Sequence, residues 1–138
     1  STPLYSSAAS DVYKRQYKSY YPKQLSSSML QRVSIARAFA TEPELLLMDE
    51  PYGQLDIELR FKLEDELIKL WEMTKTTVIF ITHNIEEAVY LGNRIMILTN
   101  KPTTVKRTVN NTLPRPRDIA SPDFVALRTE VTDAIKWW

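Results

Sequence analysis

The sequence predicts an α/β fold with a mainly parallel β-sheet and flanking helices. Three short apolar runs, at residues 45–48, 76–82 and 94–99, alternate with segments of helical periodicity. A strand–helix–strand–helix–strand order is typical of parallel sheets, in which a helix crosses over between neighbouring strands. The length of 138 residues suits one domain with a hydrophobic core of its own.

The first two apolar runs predict strands that are buried on both faces. The run LLLM, at residues 45–48, stands between Pro43 and Pro51, and TTVIFIT, at residues 76–82, is rich in β-branched residues. The third run, RIMILT, is followed by a turn at residues 100–102 and then by a partner strand at residues 104–109.

Four helices are predicted before, between and after these strands. The first follows the hydroxyl side chains of residues 26–28, which can cap it. The second has leucines at spacings of three and four between residues 59 and 70, and the third covers residues 85–91. The last begins after Ser121, with Pro122 at its first position, and Gly92 is expected to cap the third. The predicted apolar stripe of the first helix comprises Met29, Val33, Ala36 and Ala40, widened by Ile35 and Phe39; that of the last comprises Phe124, Leu127, Val131 and Ile135.

The composition excludes several classes of protein. A net charge of +1 lacks the basic excess of most nucleic-acid-binding domains, so no nucleic-acid partner is expected. The absence of cysteine excludes disulfides and thiolate metal sites. No apolar run approaches the ~20 residues that cross a bilayer, so any function at a membrane requires docking on other subunits.

Chemically capable side chains follow two of the predicted strands. Asp49 and Glu50 follow the first, and His83 follows the second. Ligands of open parallel sheets gather at the carboxyl ends of the strands, so these residues are candidates for one cleft. Carboxylates there suit Mg²⁺-dependent phosphoryl chemistry, although capping of the next turn and a buried core histidine are the structural alternatives.

Four segments together resemble ABC ATPases. LLLMDEP is similar to the Walker B segment with its catalytic glutamate, and YGQLD to the D-loop. ITHN resembles the switch-histidine loop, and LSSSMLQRVSIARAF the signature segment with its helix. The resemblance implies a partial P-loop NTPase fold. Softer patterns, in HNIEEAVYLGNR, LPRPRD and SPDFVALR, resemble the nitrate, sulfonate and taurine importer branch.

The resemblance implies the role of each site residue. Asp49 would support Mg²⁺, Glu50 would be the general base for the attacking water, and His83 would contact the γ-phosphate. The signature residues Ser26, Ser27, Ser28 and Gln31 would face the ATP of a partner subunit, and Asp56 would couple the two nucleotide sites. The implied partners are a second ATPase subunit in a head-to-tail dimer, transmembrane permease subunits and, indirectly, a periplasmic or lipoprotein substrate-binding protein. The implied location is peripheral, at the cytoplasmic face of the cell membrane.

Two departures from the family pattern are visible. A phosphate-binding loop needs two glycines five positions apart, followed by Lys and Ser or Thr, but Gly53 and Gly92 are the only glycines. The loop is therefore absent, and we expect this chain alone to be inactive in ATP hydrolysis. The family also commonly has two glycines where Ser27 and Ser28 stand.

Three hypotheses follow. The first is the C-terminal part, residues 17–138, of an ABC nucleotide-binding domain that energises uptake of a small anion. The second is a degenerate, non-catalytic docking or regulatory module. The third, an ATPase head of the chromosome-maintenance class, is disfavoured by the neutral charge and the absence of heptads. Residues 1–16 are expected to be a disordered tail, either native or resembling translated sequencing-adaptor sequence.

Overall fold

A computed structural model of the chain describes residues 19–53 and 55–136. The predicted 1–16 tail lies outside the described residues. Within these residues, a 3-10 turn at Pro22–Gln24 is followed by four helices and four strands. Their bounds are α1 Ser27–Ala40, β1 Leu45–Asp49, α2 Ile57–Thr74, β2 Thr77–Ile81, α3 Ile85–Leu91, β3 Arg94–Leu98, β4 Val105–Asn110 and α4 Pro122–Ile135.

The chain divides into two compact units, the first ending at Ile81 and the second beginning at Thr82. In the first unit β1 and β2 form a parallel pair joined by α2, as the sequence predicts. In the second unit β3 and β4 form an antiparallel pair, so the predicted partner strand is confirmed. The α/β class is confirmed, and the parallel part of the described sheet structure is the β1–β2 pair.

The core of the first unit lies on one face of its sheet. Leu46 and Met48 point inward from β1, and the buried leucines of α2 pack in the same unit. The ring centroid of Tyr52 lies 5.8 Å from that of Phe80 on β2. The buried side chains of this core are Ile35, Phe39, Leu46, Met48, Tyr52, Leu63, Leu67 and Leu70.

The prediction that β1 and β2 are buried on both faces is wrong for the described chain. The outward side chains of Leu47 and Ile79, which are register partners, are 68% and 50% exposed. Leu45 and Ile81 are about half exposed on the same face. The reason is that a parallel sheet needs a layer on each side, and described elements cover only one side of this pair.

The apolar stripe predicted for α1 is also partly wrong. Ile35 and Phe39 are buried, whereas Val33 and Ala40 are exposed. A polar residue beside this inward face also has a partner in the same unit. Arg32 lies 3.7 Å from the carboxylate of Glu66 on α2.

The second unit has one contiguous hydrophobic cluster. Inward residues of β3 and β4 pack against α3 and α4, and the apolar stripe predicted for α4 is confirmed. Ser121 caps α4, since its Oγ accepts from the backbone N–H of Phe124 at 3.3 Å. The buried members of the cluster are Val89, Ile95, Ile97, Val109, Phe124 and Val131.

No helix within residues 19–53 and 55–136 is both long and apolar enough to cross a membrane.

Candidate functional site

The strand β1 carries two carboxylates to its carboxyl end. Asp49 is the last strand residue and is exposed, and Glu50 follows it half-buried. The backbone N–H of Glu50 donates to the carbonyl of Ile81 at 2.9 Å, which ties this end of β1 to β2. Asp49 and Glu50 therefore lie at the carboxyl end of the strand, where ligands of parallel sheets bind.

Glu50 has a left-handed backbone conformation, with φ of 47°. This conformation costs a residue with a side chain about 1–2 kcal/mol, and it reverses the direction of the chain directly after the strand. The carbonyl of Glu50 then accepts from Gly53 N–H at 3.3 Å, closing a turn. The alternative that Glu50 helps to cap the following turn is therefore true of its backbone carbonyl.

The turn after Glu50 is held by two contacts that the sequence did not predict. The side chain of Tyr52 is 2% exposed, and its hydroxyl donates to the carbonyl of Leu63 on α2 at 3.4 Å. The amide Nε2 of Gln31 on α1 donates to the carbonyl of Pro51 at 2.6 Å. The two residues that follow Glu50 are therefore anchored to helices of the same unit.

Asp56 serves locally as the N-cap of α2. Its Oδ1 accepts from the backbone N–H of Leu59 at 2.9 Å, and the side chain is exposed. This is the ordinary structural use of an aspartate at a helix start, and it also places a negative charge at the positive end of the helix dipole. The fold thus fixes the backbone position of the residue for which the family resemblance implies a coupling role.

The serines lie where the sequence places them, at the start of α1. Ser26 is the N-cap, and its Oγ accepts from the backbone N–H of Met29 at 3.3 Å. The hydroxyls of Ser26 and Ser28 lie 3.0 Å apart, within hydrogen-bonding distance of each other. Ser26 and Ser27 are exposed, so this end of α1 is open to solvent.

His83 belongs to the second unit and is exposed. Its exposure rules out the alternative that it is a buried core histidine. Asn84, the next residue, caps α3: its Oδ1 accepts from Glu87 N–H at 3.2 Å, and its own N–H donates to Thr82 Oγ1 at 3.0 Å. The histidine is therefore carried on a short turn that is hydrogen-bonded on both sides.

The opposite end of α3 is closed by side chains from residues 111–117, a feature that the sequence reasoning missed. A helix leaves its last carbonyls without partners. Asn111 and Arg117 both donate to the carbonyls of Val89 and Gly92, at distances between 2.7 and 2.9 Å. Arg117 donates also to Tyr90, and Arg115 to Leu91. We call this group of three side chains the α3 clamp.

Gly92 caps α3 at the expected position, but it does not adopt the left-handed conformation that is typical of a glycine cap. Gly92 is the C-cap residue, yet its φ of −73° is open to any residue. A Cβ on Gly92 would stand 2.7 Å from the carbonyl oxygen of Ala88, which is a clash with backbone. Glycine is needed here for close approach, while the α3 clamp satisfies the carbonyls.

Arg117 is a buried cation within this clamp. Burial, followed by the neighbouring Arg115, lowers the pKa of Arg117 to about 10. The side chain therefore keeps its charge near neutral pH, and backbone carbonyl oxygens are the partners that compensate its lost hydration. The sequence signal was the pair of arginines in LPRPR, which gives no indication of the helix that they cap.

The residues present suit a Mg²⁺ ion that takes only some of its ligands from the protein, and they do not form a complete set of ligands. Within residues 19–53 and 55–136 no group of three or more His, Asp and Glu side chains is arranged to hold a metal ion. Mg²⁺ commonly binds through one or two carboxylates together with substrate phosphates and water. The exposed carboxylate of Asp49 fits that arrangement.

Comparison with known proteins agrees with the resemblance to ABC ATPases. Residues 5–53 match the family described as ABC transporter. An aliphatic sulfonates import ATP-binding protein of Bacillus thuringiensis is 47% identical over 115 residues, 83% of this chain and 46% of the relative. Its counterpart in Bacillus subtilis is 49% identical over 111 residues, 80% of this chain and 44% of the relative. The chain spans about half the length of the curated relatives it matches.

Solved structures give the same result for the fold. A dimeric ATP-binding cassette in a post-hydrolysis state, bound to ADP and Pi, superposes with a TM-score of 0.62. The match has 32% sequence identity and covers 78% of this chain and 46% of the other. A second dimeric structure of the same bacterial ABC transporter cassette superposes with a TM-score of 0.63.

Proposed function

We propose that this chain, which is similar to ABC transporter ATP-binding proteins, is part of the ATP-hydrolysing subunit of an importer. One observation carries the proposal. An apolar strand ends in Asp49 and Glu50, and the reversed backbone of Glu50 is anchored to β2 at the sheet edge. That arrangement suits a metal-supporting carboxylate followed by a general base.

The proposed roles are those that the family resemblance implies. Asp49 supports Mg²⁺ bound to ATP, which neutralises phosphate charge, and Glu50 accepts a proton from the attacking water. His83 contacts the γ-phosphate from its hydrogen-bonded turn. The open start of α1, at Ser26–Ser28, faces ATP on a partner subunit, where free N–H groups and the helix dipole favour an anion. Asp56 couples the two nucleotide sites.

The proposed substrate of the importer is a small anion of the nitrate, sulfonate or taurine kind. This is supported by relatives whose names assign them to aliphatic sulfonate import. The proposed assembly is a head-to-tail pair of ATPase subunits on transmembrane permease subunits at the cytoplasmic face of the membrane. A substrate-binding protein, periplasmic or lipid-anchored, would deliver the anion from the other side.

We propose further that this chain alone neither binds ATP tightly nor hydrolyses it. Its two glycines, Gly53 and Gly92, are 39 positions apart and form no phosphate-binding loop. Without that loop the β- and γ-phosphates lack their backbone cradle and their lysine. Titration calorimetry of the chain with Mg²⁺ and ATP is expected to show no binding at micromolar concentrations, and an affinity in that range would refute the proposal.

A non-catalytic docking or regulatory module is the second candidate. It is favoured by the serines at positions 27 and 28, where Cβ atoms crowd a helix start at which glycine permits close approach of a phosphate. The two candidates differ upstream of the described residues. The catalytic one requires a reading frame that supplies a strand and a G-x-x-x-x-G-K-[ST] loop, joined in frame at about Tyr17.

Sequencing the source DNA upstream of Tyr17 decides between them. If the frame continues through that loop, the longer protein is expected to hydrolyse ATP, and Glu50→Gln is expected to abolish turnover while ATP binding is retained. If a start codon stands directly before Ser1, the non-catalytic candidate replaces the first.

A further inference from the structure

The hydrogen bond from Gln31 to Pro51 joins two segments to which the family resemblance gives separate tasks. Gln31 lies one helical turn after the start of α1, which begins at Ser27 behind the cap Ser26. Pro51 is the residue directly after Glu50. The donor Nε2 and the acceptor carbonyl are 2.6 Å apart and partly buried, and 20 residues separate them along the chain.

The turn that receives this bond is held on its other sides as well. Glu50 N–H binds the carbonyl of Ile81 on β2, and the buried Tyr52 reaches the carbonyl of Leu63 on α2. Gln31 supplies the anchor toward α1. Because Glu50 has an uncommon left-handed backbone, its peptide neighbours must be held firmly for the carboxylate to keep one direction.

We propose that Gln31 is a positioning residue for Glu50, and that its amide is occupied by the protein backbone instead of by a nucleotide. The side chain fixes the carbonyl of Pro51 and, through it, the orientation of the Glu50 carboxylate. The catalytic consequence rests on the proposed function. In an assembled dimer this bond would link the helix that faces one ATP to the carboxylate that acts on another.

The adjacent residue on α1 provides a matched control. Arg32 pairs with Glu66 on α2 at 3.7 Å. It therefore connects α1 to α2, whereas Gln31 connects α1 to the turn after Glu50. Gln31→Glu keeps the size of the side chain but replaces the donor with a carboxylate that repels the Pro51 carbonyl. Gln31→Met also removes the donor, without adding charge. Glu66→Gln is the control that weakens the Arg32 contact and leaves the Gln31 bond in place.

The first experiment is residue-resolved amide exchange by NMR on this chain. The reporters are the N–H groups of Gly53 and Leu55, which close the turn by donating to the carbonyls of Glu50 and Tyr52. Both Gln31 variants are expected to raise exchange at these amides by roughly 3- to 10-fold relative to amides of β1, whereas Glu66→Gln leaves them unchanged.

Equal reporter rates in wild type and Gln31→Met would overturn the proposal. Normalising to the β1 amides separates loosening of the turn from unfolding of the whole unit. If Gln31→Glu fails to fold, Gln31→Met, which introduces no buried charge, decides the result.

The second experiment measures ATP hydrolysis by the longer protein identified by upstream sequencing. A positioning role predicts that Gln31→Met lowers kcat by the order of tenfold with KM for ATP unchanged, while Glu66→Gln alters neither. A raised KM with kcat retained would make Gln31 a nucleotide contact and would overturn the proposal. If the wild-type protein itself lacks ATPase activity, the proposed function fails, and the exchange experiment still decides the structural part.

Discussion

The outward faces of the two small sheets differ in chemistry. In the first unit the register partners Leu47 and Ile79 form an apolar pair, and both are at least half exposed. In the second unit the outward face is mixed, because Met96, Leu98 and Val105 are about half exposed there while the rest of the strand VKRTVN is mostly polar. Both sheets are covered by helices on one face only within the described residues, yet only in the first sheet are both strands mostly apolar.

This difference shows which surface is suited to solvent. An antiparallel pair with one polar strand can leave a face in water, whereas parallel strands with apolar side chains on both faces are normally enclosed. An exposed apolar sheet face favours association. We therefore expect the face of Leu45, Leu47, Ile79 and Ile81 to be covered in the working protein, which supports the proposal that the ATPase extends beyond this chain.

The largest expected effect is the difference in stability between two lysine substitutions at adjacent positions on opposite faces of β1. Met48→Lys places a charge on the buried face and is expected to destabilise the first unit by about 3 kcal/mol or more. Leu47→Lys places the same charge on the exposed face and is expected to leave the chain folded and to reduce its self-association. Urea denaturation and light scattering measure the two effects.

Equal destabilisation by the two lysines would show that the outward face is already covered, and the contrast between the sheets would then be lost. A monodisperse wild-type monomer would likewise contradict the expected association.

A smaller effect is expected from the α3 clamp in the second unit. Arg117→Met leaves carbonyls of Val89 and Tyr90 without that donor, and the expected destabilisation is about 2–3 kcal/mol. The control is Arg128→Met on α4, which removes a partly exposed ion pair with Glu86 of α3 and should cost about 1 kcal/mol or less. Exchange of the Gly92 N–H, which donates to Ala88 at 2.9 Å, reports the loosening of α3.

If both arginine variants destabilise equally, the charge on the surface of α3 matters more than the capped carbonyls. The α3 clamp would then not be a main source of stability in the second unit.

The smallest expected effect concerns the cap of α4. Ser121→Ala removes the acceptor for Phe124 N–H and should cost about 1 kcal/mol, whereas Ser121→Gly should cost a few tenths. Thermal unfolding of the two variants provides the measurement. An equal loss in both would indicate that the serine acts through some feature other than its capping oxygen.

Elements with a local signal were predicted closely. The observed α3, Ile85–Leu91, has the predicted bounds, and Pro122 stands at the first turn of α4 behind its serine cap. The strands β1 and β2 fall within one residue of the predicted runs at each end. These agreements arise because caps, apolar runs and helical spacing act within a few residues of one another.

Features that depend on contacts between distant segments were not predicted. The inward face of α1 includes Ile35 and Phe39 but not Val33, because the surroundings of the helix select the face. The donors for the α3 carbonyls come from residues 19 to 28 positions away, a separation that no local pattern reports. The anchors of the Glu50 turn, Gln31 and Tyr52, are of the same kind.

The sequence by itself determined the order of strands and helices, the motifs that resemble ABC ATPases, and the placement of Asp49 and Glu50 at a strand end, because each of these depends on neighbours along the chain. Only the tertiary structure decided which sheet face is left uncovered, which side chains close α3, and how Glu50 is held in its left-handed turn. Those features depend on packing and on hydrogen-bond partners far away in the sequence, which form only when the chain has folded.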